Sequence, residues 1–210
     1  MIFNNRIDAA NQLLEKLKKY NNSKDTVVVA IPRGSLPMGE VLANGLHLPL
    51  DIVLTKKIGA PFNPELAIGA VSLDSYSLHP FHAQFSTPEY ITNEVARIQQ
   101  LLCDRYKKYK GSHSNIRPFH NKRVILVDDG IATGRTFIET MKFIRKQEPL
   151  EIIAAVPVIP ADTLLLIEEH ADKVIYLMAP ENFMAVGQFY REFPQVSDEE
   201  AIEILNRANK

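Results

Sequence analysis

The sequence predicts an α/β fold in which a mostly parallel central sheet is flanked by helices. Continuous runs of apolar residues, many of them β-branched, alternate along the chain with amphipathic segments of helical period. A strand with one exposed face alternates apolar and polar residues, so unbroken apolar strands indicate a sheet that is covered on both faces. The length of 210 residues and the apolar content of 46% suffice for one such core.

The individual elements follow from these two periodicities. Helices are expected over residues 7–20, 36–44, 134–146, 161–169 and 198–207, and strands over residues 26–31, 50–55, 67–73, 123–127, 152–158 and 173–178. A further helix, capped by Ser86 or Thr87, ends near Lys110.

The region between the second and third strands is less regular. Residues 50–55 and 67–73 could pair with each other across a loop that holds Gly59, Pro61 and Pro64. Residues 74–88 show no clear period, which predicts either a long loop or a small antiparallel excursion. This segment is also a candidate for a loop that closes over a ligand.

Charge and cysteine content exclude several classes of protein. Lys and Arg number 24 and Asp and Glu 25, so no overall field attracts nucleic acid or an anionic membrane, and neither is expected as a partner. Any anion must therefore bind at a local site. The single cysteine, Cys103, excludes an internal disulfide. No signal peptide or long apolar span is apparent, so we expect one cytoplasmic domain over residues 1–210.

The strongest functional signal is a buried strand that ends in two carboxylates and continues through small residues into a helix. This segment reads Val124-Ile125-Leu126-Val127-Asp128-Asp129-Gly130-Ile131-Ala132-Thr133-Gly134-Arg135-Thr136. Such a loop lets backbone N–H groups surround a phosphate at the helix N-terminus, while carboxylates accept hydrogen bonds from hydroxyls or bind a cation. A sugar phosphate satisfies both demands.

This segment resembles the binding motif of the type I phosphoribosyltransferases. The resemblance implies the fold of that family, a mostly parallel central sheet flanked by helices with a small hood. It also implies that Asp128 and Asp129 hold the ribose 2′- and 3′-hydroxyls of 5-phosphoribosyl 1-pyrophosphate (PRPP). The loop that would bind the rest of the ribose phosphate consists of Gly130, Ala132, Thr133, Gly134, Arg135 and Thr136. The alternative is a phosphate-binding turn of an unrelated α/β protein.

A second match lies after the first strand. The segment Val29-Ala30-Ile31-Pro32-Arg33-Gly34 resembles the family's pyrophosphate loop, which implies that Arg33 and Gly34 bind the pyrophosphate. Members of the family often hold this loop in a strained geometry, so a cis non-proline peptide is expected here. Without the first motif, an Arg-Gly pair is most often an ordinary turn.

The third match is to a bacterial subgroup of the family. It covers residues 56–71 and continues through Glu94, Arg97 and residues 185–190, so the resemblance spans nearly the whole chain. Lys57 is the candidate for stabilising the departing pyrophosphate, with Lys56 as the second candidate. The alternative is that this lysine pair forms a solvated strand edge.

The acceptor site is the least readable part of the sequence. In the family a variable hood binds the base, and residues 180–210 are the candidate hood, with a possible contribution from the N-terminal helix. Aromatic side chains stack well on a flat base, but these side chains could equally cap the core. The candidate acceptor residues are Phe183, Val186, Phe189 and Tyr190.

Two further positions bear on the chemistry. Ala132 stands where members acting on 6-oxopurines carry an Asp, which makes hypoxanthine and guanine less expected acceptors and leaves the general base unassigned. His79 and His82 have a spacing that metal ligands can have, but histidines of a loop are the commoner interpretation. No direct metal site is therefore expected.

The resemblance implies transfer of the phosphoribosyl group from PRPP to a nitrogenous base, with release of pyrophosphate. Mg²⁺ would be held mainly through PRPP, with a possible contribution from Asp128 or Asp129. The catalytic candidates are Asp128, Asp129, Lys57 and Arg33. The alternatives are a PRPP-sensing regulator without transferase activity and a hydrolase of the donor. A homodimer is the commonest assembly and a further expectation.

Overall fold

The computed structural model describes residues 2–79, 81, 84, 86–110 and 119–208. The chain divides into two compact units, the first of Met1–Val53 with Ile116–Lys210 and the second of Leu54–Asn115. The expectation of a single domain over the whole chain stays a prediction.

The described strands and α-helices agree closely with the periodicities of the sequence. The strands are β1 (Thr26–Ala30), β2 (Leu50–Ile52), β3 (Lys56–Ala60), β4 (Asn63–Val71), β5 (Tyr76–Leu78), β6 (Arg123–Val127), β7 (Glu151–Val158) and β8 (Lys173–Met178). The α-helices are α1 (Arg6–Leu17), α2 (Leu36–Leu46), α3 (Pro88–Lys110), α4 (Arg135–Arg145), α5 (Ala161–Glu168) and α6 (Asp198–Ala208). Short 3₁₀ helices cover Lys18–Tyr20 and Val186–Phe189.

A five-stranded sheet forms the centre of the first unit, with the strand order β2-β1-β6-β7-β8. All four pairings are parallel, and β1 is buried along its whole length. The predicted α/β fold with a parallel central sheet is therefore confirmed. Ala30 lies opposite Val127 in the register of β1 and β6, so the residues that follow these two strands leave the sheet at the same edge.

Helix α1 begins where a side chain caps it. Asn5 accepts a hydrogen bond from the N–H of Asp8 at 3.0 Å, which satisfies one of the free donors of the first turn. The buried face of the helix carries Ala9, Ala10, Leu13, Leu17 and, at the first position, Arg6. An arginine on this apolar face requires a specific partner, because an unpaired buried charge is costly.

The second unit contains an antiparallel sheet in the order β3-β4-β5 and the long helix α3. Pro61 and Phe62 form the turn between β3 and β4, since Ala60 pairs with Asn63. The N–H of Tyr90 donates to the Thr87 hydroxyl at 3.2 Å, as expected for a helix cap. The Tyr90 hydroxyl donates in turn to the carbonyl of Gly59 at 2.9 Å, which ties α3 to the hairpin.

Two predictions for this region are corrected. The proposed pairing of residues 50–55 with 67–73 is wrong, because β2 pairs in parallel with β1 while β4 pairs with β3 and β5. The predicted loop before β4 instead contains β3, the first strand of a hairpin. Its proline and glycine residues favoured the prediction of a loop. Strand β5 bears out the antiparallel excursion, one of the two alternatives for residues 74–88.

No helix within the described residues is long and apolar enough to cross a membrane.

Candidate functional site

The acidic pair lies directly after β6, at the carboxyl edge of the parallel sheet. The N–H of Asp129 donates to Oδ1 of Asp128 at 2.9 Å, so the first side chain folds back over the backbone of the second. The N–H of Ile31 donates to the carbonyl of Val127 at 3.3 Å, which extends the pairing of β1 and β6 to their ends. The two strands thus hold the acidic pair and the loop after β1 at one edge, where ligands bind in open α/β sheets.

Arg6 binds the second member of the pair. Its Nε and its terminal nitrogen both lie 2.8 Å from Oδ2 of Asp129, and the arginine and aspartate side chains are only 9% and 14% exposed. The other terminal nitrogen of Arg6 donates to the carbonyl of Pro194 at 2.6 Å, and the guanidinium lies 3.8 Å from the centre of the Phe193 ring. Arg6 is therefore held on three sides.

The two carboxyl groups differ in their electrostatic surroundings. Burial raises the pKa of Asp128 well above its ordinary value, and the neighbouring charge of Asp129 raises it further. Burial also raises the pKa of Asp129, but the charge and the hydrogen bond of Arg6 oppose that rise. The ionised pair is thus only partly compensated by the protein, and it favours a ligand that brings hydroxyl donors or a cation.

The loop that follows the pair has little space for side chains. A Cβ at Gly130 would lie 2.6 Å from Val186 and 2.9 Å from Val158, both in side-chain contact. Gly134 precedes α4 with φ at +72°, a conformation that glycine adopts without steric cost. The Thr163 hydroxyl donates to the carbonyl of Ala132 at 2.8 Å, which fixes the loop from α5.

The outer part of the loop is open to solvent. Residues Ala132, Thr133, Arg135 and Thr136 are exposed, while Gly130 and Gly134 are buried. Exposed hydroxyls and backbone N–H groups at the start of a helix form an arrangement that binds phosphate. The structure therefore brings the predicted phosphate loop and the acidic pair together in the first unit.

The predicted pyrophosphate loop lies beside the acidic pair. The Pro32–Arg33 peptide is cis, as expected. A Cβ at Gly34 would lie 2.5 Å from Oδ2 of Asp129, so this position has room for glycine and no larger residue. The Arg33 side chain is exposed, and its guanidinium lies 3.4 Å from Oδ1 of Asp198 at the start of α6.

The two candidate lysines belong to the second unit. Lys56 and Lys57 are exposed and begin strand β3. Nζ of Lys57 lies 2.8 Å from Oε2 of Glu65, across the hairpin on β4. This contact lowers the pKa of the Glu65 carboxyl, chiefly through the hydrogen bond from Lys57.

The four candidate acceptor residues lie in or next to the 3₁₀ helix of the first unit. Phe183 and Val186 are half-buried, whereas Phe189 and Tyr190 are buried. The ring of Tyr190 stacks on Phe193 with centroids 4.8 Å apart, and its hydroxyl donates to the backbone carbonyl of Asp129 at 2.5 Å. Burial raises the pKa of this hydroxyl, which keeps it protonated as a donor. The packing of Phe189 and Tyr190 favours the interpretation that these two rings cap the core.

Sequence reasoning missed Arg6 and the hydrogen bond from Tyr190. The signal for Arg6 was present, because it occupies the apolar face of α1 one turn before Ala9 and Ala10. The signal for Tyr190 was absent, since nothing in the sequence indicates that its hydroxyl reaches a backbone carbonyl near β6. His82 lies outside the described residues, and the described part of the chain holds no cluster of three or more metal-binding side chains.

Comparisons with known proteins agree with this geometry. The family model described as "Phosphoribosyl transferase domain" matches residues 1–193. Two proteins of Mycobacterium tuberculosis, from strains CDC 1551 and H37Rv, are each named "Putative phosphoribosyl transferase" and are 34% identical over 212 residues. The match covers 100% of this chain and 47% of theirs, so the chain spans about half the length of these curated relatives.

A solved structure matches over the full length. The crystal structure of TT1426 from Thermus thermophilus is 32% identical, covers 100% of both chains and superposes with a TM-score of 0.86. The five-stranded parallel sheet with its helices is that of the type I phosphoribosyltransferase fold, and the second unit adds an antiparallel sheet of three strands. A contribution of residues 180–210 to the hood stays a prediction. With its sheet, its acidic pair and the match over residues 1–193, this chain belongs to the phosphoribosyl transferase family.

Proposed function

We propose that the protein transfers the phosphoribosyl group of PRPP to a nitrogenous base and releases pyrophosphate. The observation that supports this proposal is the convergence of three features in the first unit. The acidic pair, the phosphate loop before α4 and the loop at Gly34 meet at one sheet edge, with Gly34 in direct reach of the Asp129 side chain. A sugar that carries both a phosphate and a pyrophosphate uses all three.

The donor would be bound by groups of opposite character. Asp128 and Asp129 would accept hydrogen bonds from the ribose hydroxyls, and residues 130–136 would surround the 5′-phosphate with N–H groups and hydroxyls. Arg33 and the N–H of Gly34 would hold the pyrophosphate. Arg33 would then exchange its contact with Asp198 for the ligand, which is feasible because the arginine is exposed and the two groups are 3.4 Å apart.

Cleavage at C1 builds positive charge on the ribose and negative charge on the pyrophosphate. The side chains of the acidic pair would lie on the ribose side and balance the first charge. Arg33 would balance the second, and the sequence motif assigns the same role to Lys57 and Lys56 of strand β3. Lys57 would leave Glu65 to do so.

The residues present also suit a magnesium ion. Asp128 is half-buried with a raised pKa, and within the described part of the chain its second oxygen accepts no hydrogen bond. Such oxygen ligands match the preference of Mg²⁺, and Asp128 would hold the ion together with oxygens of PRPP. When bound, Mg²⁺ supplies positive charge that stabilises the leaving pyrophosphate.

The acceptor is proposed only as a class. Ala132 supplies no carboxylate to the loop, so a proton on the base would have to leave by another group or by water. This favours acceptors other than 6-oxopurines. The half-buried Phe183 and Val186 are the more accessible of the four candidate acceptor residues.

Calorimetry tests the donor site directly. Titration of the whole chain with PRPP, with and without Mg²⁺, should give binding that depends on the ion and is lost in Asp128→Asn. The matched control is Arg145→Met, which breaks an ion pair with Asp172 at the far end of α4. This control should bind PRPP as the wild type does. Absence of binding by the folded wild type would overturn the proposal.

Pyrophosphate release then tests catalysis. Incubation with PRPP, Mg²⁺ and a panel of purines and pyrimidines should release pyrophosphate with a subset of the bases. Release without any base would identify a hydrolase of the donor. Donor binding without release for any base would instead identify a PRPP sensor.

A further inference from the structure

The N-terminal and C-terminal segments of the chain come together behind the acidic pair. The N–H of Phe3 donates to the carbonyl of Phe189 at 2.8 Å, and the N–H of Arg191 donates to the carbonyl of Phe3 at 2.9 Å. Next along the same two segments, the N–H of Glu192 donates to the carbonyl of Asn4 at 2.9 Å. This parallel pairing delivers Arg6, at the start of α1, to the side chain of Asp129.

Arg6 reaches one oxygen of that side chain with a hydrogen bond from Nε and an ion-pair contact from a terminal nitrogen. Both the Nε and the terminal nitrogen lie 2.8 Å from Oδ2 of Asp129. Gly34 closes the same side, since a Cβ there would lie 2.5 Å from this oxygen. Within the described residues, Oδ1 of Asp129 accepts no hydrogen bond. One oxygen is therefore committed to the protein and the other is available.

The remaining polar groups of Asp129 are fixed as well. Its N–H donates to Asp128 and its carbonyl accepts from the Tyr190 hydroxyl. The guanidinium of Arg6 is itself immobilised by the Pro194 carbonyl and the Phe193 ring. A carboxylate with one oxygen held by a charge-assisted hydrogen bond and an ion-pair contact, on a backbone held from both sides, has a single orientation.

We propose that Arg6 is a positioning residue for the ribose site, which turns Oδ1 of Asp129 toward the sugar by holding Oδ2. The inference rests on the proposed function, since it takes a ribose hydroxyl as the group that Oδ1 accepts. Arg6 itself touches no substrate. The planar guanidinium is required for the effect, because a single ammonium group cannot fix the rotation of a carboxylate in the same way.

Two variants separate orientation from charge. Arg6→Met removes the donors and the charge at similar length, and Arg6→Lys keeps the charge but has no planar pair of donors. Arg145→Met is the matched control, because Arg145 likewise binds a carboxylate, Asp172 at 2.9 Å, and a backbone carbonyl, His170 at 3.2 Å. All variants are compared at a temperature at which each is fully folded.

The first measurement is the crystal structure of each variant without ligand. In Arg6→Met the Asp129 carboxylate should rotate about its terminal bond or occupy several orientations, whereas in Arg145→Met it should stay as in the wild type. An unchanged carboxylate in a folded Arg6→Met protein overturns the inference. This measurement does not involve PRPP, so it decides the role of Arg6 even where the proposed function fails.

The second measurement is the Kd for PRPP in the presence of Mg²⁺. We expect Kd to rise about tenfold or more in Arg6→Met, the loss of one charge-assisted hydrogen bond in a pre-arranged site, and to rise less in Arg6→Lys. Equal Kd values for Arg6→Met and the wild type overturn the inference. If Arg6→Met does not fold, the same comparison is made with Arg6→Lys, and equality with the wild type again overturns it. Absence of PRPP binding by the wild type overturns the proposed function alone.

Discussion

Replacing Asp128 by asparagine should make the protein more stable while it removes donor binding. Burial and the neighbouring carboxylate raise the pKa of Asp128, so its ionised form destabilises the folded state near neutral pH. An asparagine removes the charge and keeps the acceptor, because its amide oxygen can receive the N–H of Asp129 as Oδ1 does now at 2.9 Å. The substitution therefore removes the unfavourable buried charge and keeps the hydrogen bond from the N–H of Asp129.

The size of the effect follows from ordinary magnitudes. Removal of an unfavourable functional group commonly adds about 0.5–2 kcal/mol to the free energy of unfolding. With an unfolding entropy of about 2.1 cal/mol/K per residue, 1 kcal/mol corresponds to about 2 °C in Tm for a chain of 210 residues. We therefore expect Tm of Asp128→Asn to exceed that of the wild type by about 1–5 °C at pH 7.5.

The pH dependence of the difference in Tm is a second test of the predicted stabilisation. A carboxyl group with a raised pKa binds more protons in the folded than in the unfolded state, between its ordinary pKa of 3.8 and the raised value. Acidification through this window therefore stabilises the wild type relative to Asp128→Asn. The difference in Tm should shrink as pH falls from 7.5 to 5, with a chelator present to exclude metal ions.

Scanning calorimetry or thermal denaturation followed by circular dichroism measures the difference. The matched control is Asp25→Asn, which removes a carboxylate whose pKa is lowered, chiefly by the hydrogen bond from Ser23, and which pairs with Arg123. This variant should not raise Tm at pH 7.5. A lower Tm for Asp128→Asn than for the wild type at pH 7.5, or a difference independent of pH, would refute the reasoning.

Three other substitutions test separate contacts of the site. Asp129→Asn should raise Tm by less than Asp128→Asn in the same assay, because the amide relieves the burial of a charge but also loses the ion pair with Arg6 that opposes the raised pKa of Asp129; an equal or larger rise would contradict this. Gly34→Ala should lower stability by about 1–3 kcal/mol and weaken PRPP binding, since its Cβ would lie 2.5 Å from Asp129; unchanged Kd and Tm would disprove the close approach. Glu65→Gln should tighten PRPP binding up to about fivefold in calorimetry by releasing Lys57 from an exposed ion pair, and an unchanged Kd would argue against a role for Lys57.

The sequence predicts the first unit well because that unit depends on local patterns. Strand β6 is an unbroken apolar run that ends in a charged pair, and the observed strand Arg123–Val127 has the predicted bounds. The parallel arrangement then follows from chain topology, because parallel strands need crossover helices and those helices are visible by their period. The position of the acidic pair and of the phosphate loop at one edge was thereby predictable.

Strand β3 of the antiparallel sheet was missed because it breaks the rules that identify strands. Strand β3 begins with two exposed lysines and contains Gly59, and β4 contains Pro64 near its start. Proline and glycine usually mark loops, but an edge strand such as β3 tolerates glycine, and Pro64 stands near the start of β4, outside the residues of β4 that pair with β5. Strand β3 is stabilised by its pairing with β4. The pattern of residues within β3 alone does not indicate that pairing.

The contact between Arg6 and Asp129 could not be predicted for a different reason. These residues are 123 positions apart, and the contact depends on the pairing of Phe3 with residues 189–191. Neither segment has a strand pattern of its own. An arginine on an apolar helix face indicates that the guanidinium has a partner, but the identity of that partner is visible only in the folded chain.

The two adjacent aspartates therefore have different roles in a donor site: Asp129 is held in a fixed orientation, and Asp128 keeps an uncompensated charge. A ribose has to meet carboxylates in a fixed orientation, yet a pair of fully neutralised carboxylates would have no remaining attraction for hydroxyl groups or a cation. Arg6 supplies order by holding Oδ2 of Asp129, and Asp128 keeps its second oxygen and its unfavourable charge for the ligand. Because Arg6 partly offsets the raised pKa of Asp129, Asp129→Asn should gain less stability than Asp128→Asn, while both variants weaken PRPP binding. An equal gain would mean that the protein treats the two carboxylates alike.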